Sequence, residues 1–239
     1  MPSLAAGVAS ECIALSLHAA MAGHLGAMAN RAASVLQAVL RGRPFVPIPT
    51  SSPSHLSFAA SWRSDSRITL DAYAWPPELG PAGMAFIDFE IAVPWFPFAV
   101  VAAEEITFQL ASALLPWHGR VHTSGSSVAV CHQRAASSTS PPIAPPFGLP
   151  ALRSSLVRRH PLVPLDVAWI NLWSADSCAL LGLTAGDHGL FESVRPTADG
   201  AHVLALTSAP LDPTRRPEHA RALRAVYARF PRIGCRDRP

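Results

Sequence analysis

The stretch from Asp166 to Leu183, DVAWINLWSADSCALLGL, leaves its backbone little choice. Alternation predicts a strand over Val167 to Leu172, with Val167, Trp169 and Asn171 on one face and Ala168, Ile170 and Leu172 on the other. At Trp173-Ser174 the period changes. Ser174 is a good N-cap, because its hydroxyl can accept a hydrogen bond from the free N–H groups that open a helix. A short helix follows from Ala175 to about Leu181. Gly182 stands where a left-handed residue closes a helix without steric cost.

The remaining elements are read in the same way. The alanine-rich region up to about Arg41 reads as helix, with Ala32, Val35, Leu36, Val39 and Leu40 recurring at helical spacing. Pro44, Pro47, Pro49 and Pro53 predict a loop or extended connector over residues 43–57. One or two strands fit between Phe58 and Tyr73. The clearer is Arg67 to Tyr73, where Ile68, Leu70 and Ala72 alternate with Thr69, Asp71 and Tyr73. A strand is predicted over Ala85 to Val93, with Ile87, Phe89, Ile91 and Val93 facing away from Phe86, Asp88 and Glu90. A helix is predicted over Ala99 to Leu115. It has Glu104 and Glu105 in its first turns, where they suit the helix dipole, and Ile106, Leu110 and Leu114, with Val101 or Phe108, in its buried stripe. A short strand over Val128 to Cys131 and a serine-then-proline linker over Ala135 to Pro150 follow. A strand is expected around His202 to Ser208. A last helix from about Pro217 to Phe230 turns Ala220, Leu223, Val226, Tyr227 and Phe230 inward and Arg221, Arg224 and Arg229 outward.

This order predicts an α+β fold, a mostly antiparallel sheet with helices packed on one face. It divides the chain into a loosely defined N-terminal helical region with a proline-rich connector (residues 1–57), a first α+β half (58–134), the linker (135–152) and a strand–helix–strand–helix half (153–239).

Composition narrows function mostly by exclusion. All 19 basic residues are arginine. Without lysine there is no Walker A loop, no Schiff-base or pyridoxal chemistry and no nuclease or kinase of the usual lysine-dependent kind. No cofactor is predicted. A GC-biased genome accounts for the missing lysine, since nothing physical requires it. Cys12, Cys131, Cys178 and Cys235 are scattered and read as incidental thiols in a reducing compartment, with no disulfide framework or zinc site. The apolar run from Cys12 to Ala22 follows Glu11 and precedes the first basic residue, Arg31, the wrong order for a signal peptide. The run from Ile91 to Ala103 is too short for a bilayer and contains Pro94 and Pro97. A cytoplasmic protein with no membrane partner is expected. Residues 153–239 carry twelve arginines against eight acids, a mildly basic half. The missing lysines and the absence of aromatic interleaving argue against nucleic acid.

Three constellations could carry chemistry. His118 and His122 are four apart with His132 beyond, a spacing that binds zinc on a helix. Here Gly119 intervenes and the predicted helix stops at Pro116, so they read as loop or surface histidines with no metal. Asp88 and Glu90 share a strand face and could hold magnesium or do acid–base work. A solvated strand face explains the pair more simply. Ser124, Ser126 and Ser127 lie near these histidines but outside a nucleophile elbow, and they read as a turn. No catalytic residue is assigned.

The segments GLPAL at Gly148 to Leu152, AWINLWSADSCALLGL, LTSAPLD and the closing YARFPRIG together resemble a bacterial family of unknown function. That family is found mainly in myxobacteria and is related to the immunity protein 52 family of polymorphic toxin systems. The resemblance covers Gly148 to Gly234 best and extends more weakly over Glu78 to Val93 and Glu104 to Val121, including the WHG at Trp117 to Gly119. It implies a non-enzymatic α+β protein that neutralises a cognate toxin, for example a nuclease, by covering its site. Trp169, Trp173, Arg221 and Arg224 are the candidate contacts, because Trp and Arg dominate interface energetics. The simpler assignment of both tryptophans is to the core. The alternative function is a small enzyme using histidine or serine.

Overall fold

The computed structural model describes residues 12–41, 44–61, 67–79, 83–94, 97–123, 161–211 and 217–233. The predicted strand at Val128 to Cys131, the linker, the three candidate serines, His132, Cys131 and Cys235 lie outside them. Nine antiparallel strands form one sheet in the order β2-β3-β4-β5-β1-β6-β7-β9-β8. The strands are β1 (Cys12–Ala20), β2 (Val46–Ile48), β3 (His55–Ser61), β4 (Arg67–Trp75), β5 (Phe86–Pro94), β6 (His118–Thr123), β7 (Ile170–Trp173), β8 (Ser193–Pro196) and β9 (His202–Ala205). The helices are α1 (Leu25–Leu40), α2 (Pro97–Leu114), α3 (Ala175–Leu181) and α4 (Pro217–Arg229), with a 3₁₀ turn over Ala185–Leu190. The α+β class is as expected.

The centre of the sheet departs from the expectation. Residues 12–20 are a strand between β5 and β6, with Ile13, Leu15, Leu17 and Ala19 buried and Ala14, Ser16, His18 and Ala20 on the other face. Helix begins only at Leu25, where His24 Nδ1 accepts from Gly26 N at 3.1 Å. The expected connector over residues 43–57 contains the short edge strand β2 and the start of β3, and Pro47 suits an edge because it has no N–H to leave unpaired.

α1 packs over β3 and β4, and α2 over β1, β7 and β9. Both lie on the face that carries Leu15, Ile91 and Val121, where α2 places Ala103 and Ile106. α2 starts at Pro97, so Glu104 and Glu105 fall beyond its first turn. They bind β8 instead: Ser193 Oγ donates to Glu104 at 3.0 Å, and Arg195 donates to Glu105 at 2.8 Å with its guanidinium 4.0 Å above the Phe108 ring. Phe108 therefore joins the covered side of the helix, and Val101 is 77% exposed.

On the opposite face at the β7 end, the C-terminal elements meet the sheet. Trp173 is fully buried, with Phe191 and Phe230 edge-on to its ring at 5.9 and 5.3 Å. The predicted cap is present: Ser174 Oγ accepts from Ser177 N at 3.1 Å, and Gly182 closes α3 at φ 69°. The strand is shorter than expected because Asn171 folds its amide back on the chain. Its Oδ1 accepts from Ala168 N at 2.8 Å and its Nδ2 donates to Ala168 O at 2.9 Å. This turns residues 167–169 out of the ladder while leaving Asn171 buried and satisfied.

Candidate functional site

Register places chemistry-bearing residues in rows across the face opposite α1 and α2. One row runs His55, Tyr73, Asp88, His18, His118, Trp173 and His202. The next runs Ser57, Asp71, Glu90, Ser16, Arg120 and Asn171. Each arises from simple alternation, since the apolar half of every strand is committed to the helices and its partners project the other way. At β7 the face is buried, with Phe191 and Phe230 packed on Trp173, and at β9 His202 is half-buried. From β3 to β1 it stays half-open.

Within the open part the carboxylates are held by imidazoles. His55 Nε2 donates to Asp71 Oδ1 at 3.0 Å, and His18 Nδ1 is bonded to Asp88 Oδ1. The His55 ring stacks on Tyr73 at 4.3 Å, and the His18 ring lies 4.6 Å from that of His118. Burial, followed by the charges of Asp71 and Glu90, pushes the Tyr73 hydroxyl above its ordinary pKa. Asp88 and Glu90 do share a face, as expected, but Asp88 is engaged by His18 and Glu90 is exposed.

A second cluster lies inside. His118 and His122 are both buried, two turns of the pleat apart on β6, which was expected to be a loop. Arg120 Nη1 donates to the buried Asp166 at 3.0 Å, and His122 Nε2 stands 3.5 Å from the other oxygen, with neither ring nitrogen in a hydrogen bond. Among the described residues, no group of three or more histidine, cysteine, aspartate or glutamate side chains is placed to hold a metal ion. Cys178 is buried, which pushes its thiol up to about 12 and keeps it protonated.

The four predicted contact residues separate. Trp169 is buried with Nε1 donating to Thr207 O at 2.9 Å, and Trp173 is buried as described, so neither indole offers area to a partner. Burial reflects their places at the junction of β7 with the C-terminal helices. Arg221 and Arg224 are exposed on α4. Arg229, next along that stripe, is engaged: it donates twice to Asp187, at 2.5 and 2.9 Å, and to Gly182 O at 2.8 Å. Sequence reasoning missed His18, His55 and the pairing of Asp71 because the rows join strands far apart in the chain. Only the alternation in CIALSLHAA could have placed Ser16 and His18 on a polar face.

One end of the open face is apolar. Trp75 projects beyond Tyr73 on the same side of β4, stacked at 5.9 Å on Phe86. A groove of about 520 Å³ is lined by Met21, Ser54, Tyr73, Ala74, Trp75, Pro76 and Leu79.

A family model described as a domain of unknown function (DUF5953) matches residues 48–238. Its span omits β1 and α1, although β1 is the fifth of nine strands. Among solved structures, the chain is similar to the Pseudomonas aeruginosa T6SS protein PA0821, at 14% identity and a TM-score of 0.54 over 92% of this chain and 73% of that one. At that identity the likeness is one of fold. No curated protein matches the sequence.

Proposed function

The chain belongs to the DUF5953 family of domains of unknown function, and we propose that it is an immunity-type protein that binds a cognate toxin in the cytoplasm and neutralises it by occlusion. The observation that carries this reading is the half-open polar face of β3, β4, β5 and β1. An occluding protein needs a surface formed before binding, because each side chain ordered on contact subtracts affinity. Here the sheet and the imidazole–carboxylate bonds of His55 with Asp71 and His18 with Asp88 hold the face in place. Its fold is that of a protein described as belonging to T6SS, and the resemblance of the C-terminal segments to relatives of the immunity protein 52 family supports the same role. Arg221 and Arg224 offer a second contact area on α4, where Trp169 and Trp173 act only by holding the scaffold that carries it.

The test is co-expression with the product of the neighbouring gene. Growth restored by this chain is the expected result, and toxicity that persists at equal expression overturns the reading for that pair. A second reading, a small enzyme using histidine, draws on the His18–Asp88 pair, an imidazole oriented as a general base would be. Against it, His18 Nε2 is buried without a partner. Any turnover found should disappear in His18→Ala if that reading holds.

A further inference from the structure

Large apolar side chains stand uncovered at the Trp75 end of the open face. Trp75 is 37% exposed, Met21 39%, Met84 40% and Leu79 65%. They converge from three strand ends: Met21 N donates to Ala85 O beside Met84, and Trp75 rests on Phe86. Exposed clusters of this kind, with Trp, Tyr and Met around a groove, are characteristic of protein interfaces. Along the same face, Asp88 stands beside Tyr73 and Asp71 and Glu90 form the next row, with Glu78 in the adjoining turn. The arginine on this side of β4, Arg67, lies at the far end of that strand. The whole chain carries a formal charge of +3, so this acidic area runs against the sign of the molecule. His55 and His18 orient two of the carboxylates, and Glu90 is exposed.

We propose that this end of the sheet is a docking surface for a basic protein segment bearing an apolar anchor. The anchor enters the groove between Trp75, Met21 and Leu79, and arginine or lysine side chains reach Asp71 and Glu90. The proposal rests on the binding role argued above and names the chemistry that the partner must present. A basic partner is the occupant that charge complementarity selects, since like charges across an interface are costly. Opposite charge also speeds encounter, so association should weaken as salt rises.

The probe is a fluorescent peptide of alternating arginine and tryptophan, read by anisotropy. An arginine–glycine peptide and a glutamate–tryptophan peptide serve as controls. The arginine–tryptophan peptide should bind at least about tenfold more tightly than either control. Trp75→Ala should weaken it about tenfold, as should Asp71→Asn combined with Glu90→Arg. Leu79→Ser, in an exposed turn, is a second anchor variant whose folding is not at risk. Val101→Ser, on the exposed side of α2 away from this face, should leave binding unchanged. Binding that ignores the Trp75, Leu79 and Glu90 variants overturns the proposal. So does a concentration-dependent dimer lost in Trp75→Ala, which would make a second copy the occupant, or a crosslink from Trp75 to residues 124–160 of the same chain. If a variant with this face disabled still neutralises the toxin, the toxin reading stands and this surface falls. If co-expression fails while the peptide maps here, the reverse holds.

Discussion

Asp187 shows how much one carboxylate can organise. It accepts both bonds from Arg229, and its Oδ2 also receives Thr184 N at 2.9 Å and the Thr184 hydroxyl at 2.8 Å, closing the 3₁₀ turn. Its pKa is lowered to about 2, first by the Arg229 hydrogen bond. A carboxyl whose folded pKa is depressed contributes stability above its ordinary value near 3.8, and that contribution fades as pH falls from there towards about 2. Asp187→Asn should cost roughly 1–2 kcal/mol at pH 7, the lower part of the range for charged hydrogen bonds because Arg229 is partly solvated. The difference from the parent should close as pH falls through that window, measured by denaturant unfolding. Gly119 acts by having no side chain. A Cβ there would lie 2.3 Å from Leu17 Cδ2 and 3.1 Å from Ser16 O. Leu17 is fully buried and has nowhere to turn, so Gly119→Ala should cost about 1–3 kcal/mol by overpacking, seen as a lower denaturation midpoint.

At the scale of elements, α3 is the piece most plainly written in the sequence. Ser174→Ala should lose about 1 kcal/mol through the cap alone, a loss seen in the same unfolding measurement. β4, β5, α2 and α4 were equally legible, because their inward residues are large and strictly periodic. β1 was not. Its inward set, Ile13, Leu15, Leu17 and Ala19, alternates correctly, but alanine on the other face erased the contrast between faces and left an apolar run followed by helix-forming residues. β6 was hidden for the opposite reason. His118 and His122 are buried by tertiary packing, and no local hydrophobicity signals that HGRVHT is a strand. The candidate site shares this weakness. Asp88 with Glu90 could be read from one strand, whereas His18, which bonds Asp88, comes from β1, and His55, which bonds Asp71, comes from β3, both through register. Trp169 and Trp173 show the limit of residue type as a guide to interfaces: the same area that makes tryptophan a strong anchor makes it a strong core residue.

At the scale of the molecule, the sheet joins strands from the N-terminal, middle and C-terminal parts of the chain, and its two ends treat the same face differently. At β6 and β7 the face is closed by the aromatic packing on Trp173 and the Arg120–Asp166 bond. Before β6 it remains polar, oriented and half-open, passing into an uncovered apolar groove. No described helix is long and apolar enough to cross a membrane. If this surface stops a toxin by covering it, occlusion makes a quantitative demand that catalysis does not. Titrating the purified chain into the neighbouring gene's product, with toxin activity read at each point, tests it most directly. Activity should fall linearly and reach its floor at a fixed molar ratio close to equivalence. Full toxin activity in the presence of excess chain, or its loss at a small catalytic fraction of that ratio, would contradict the account.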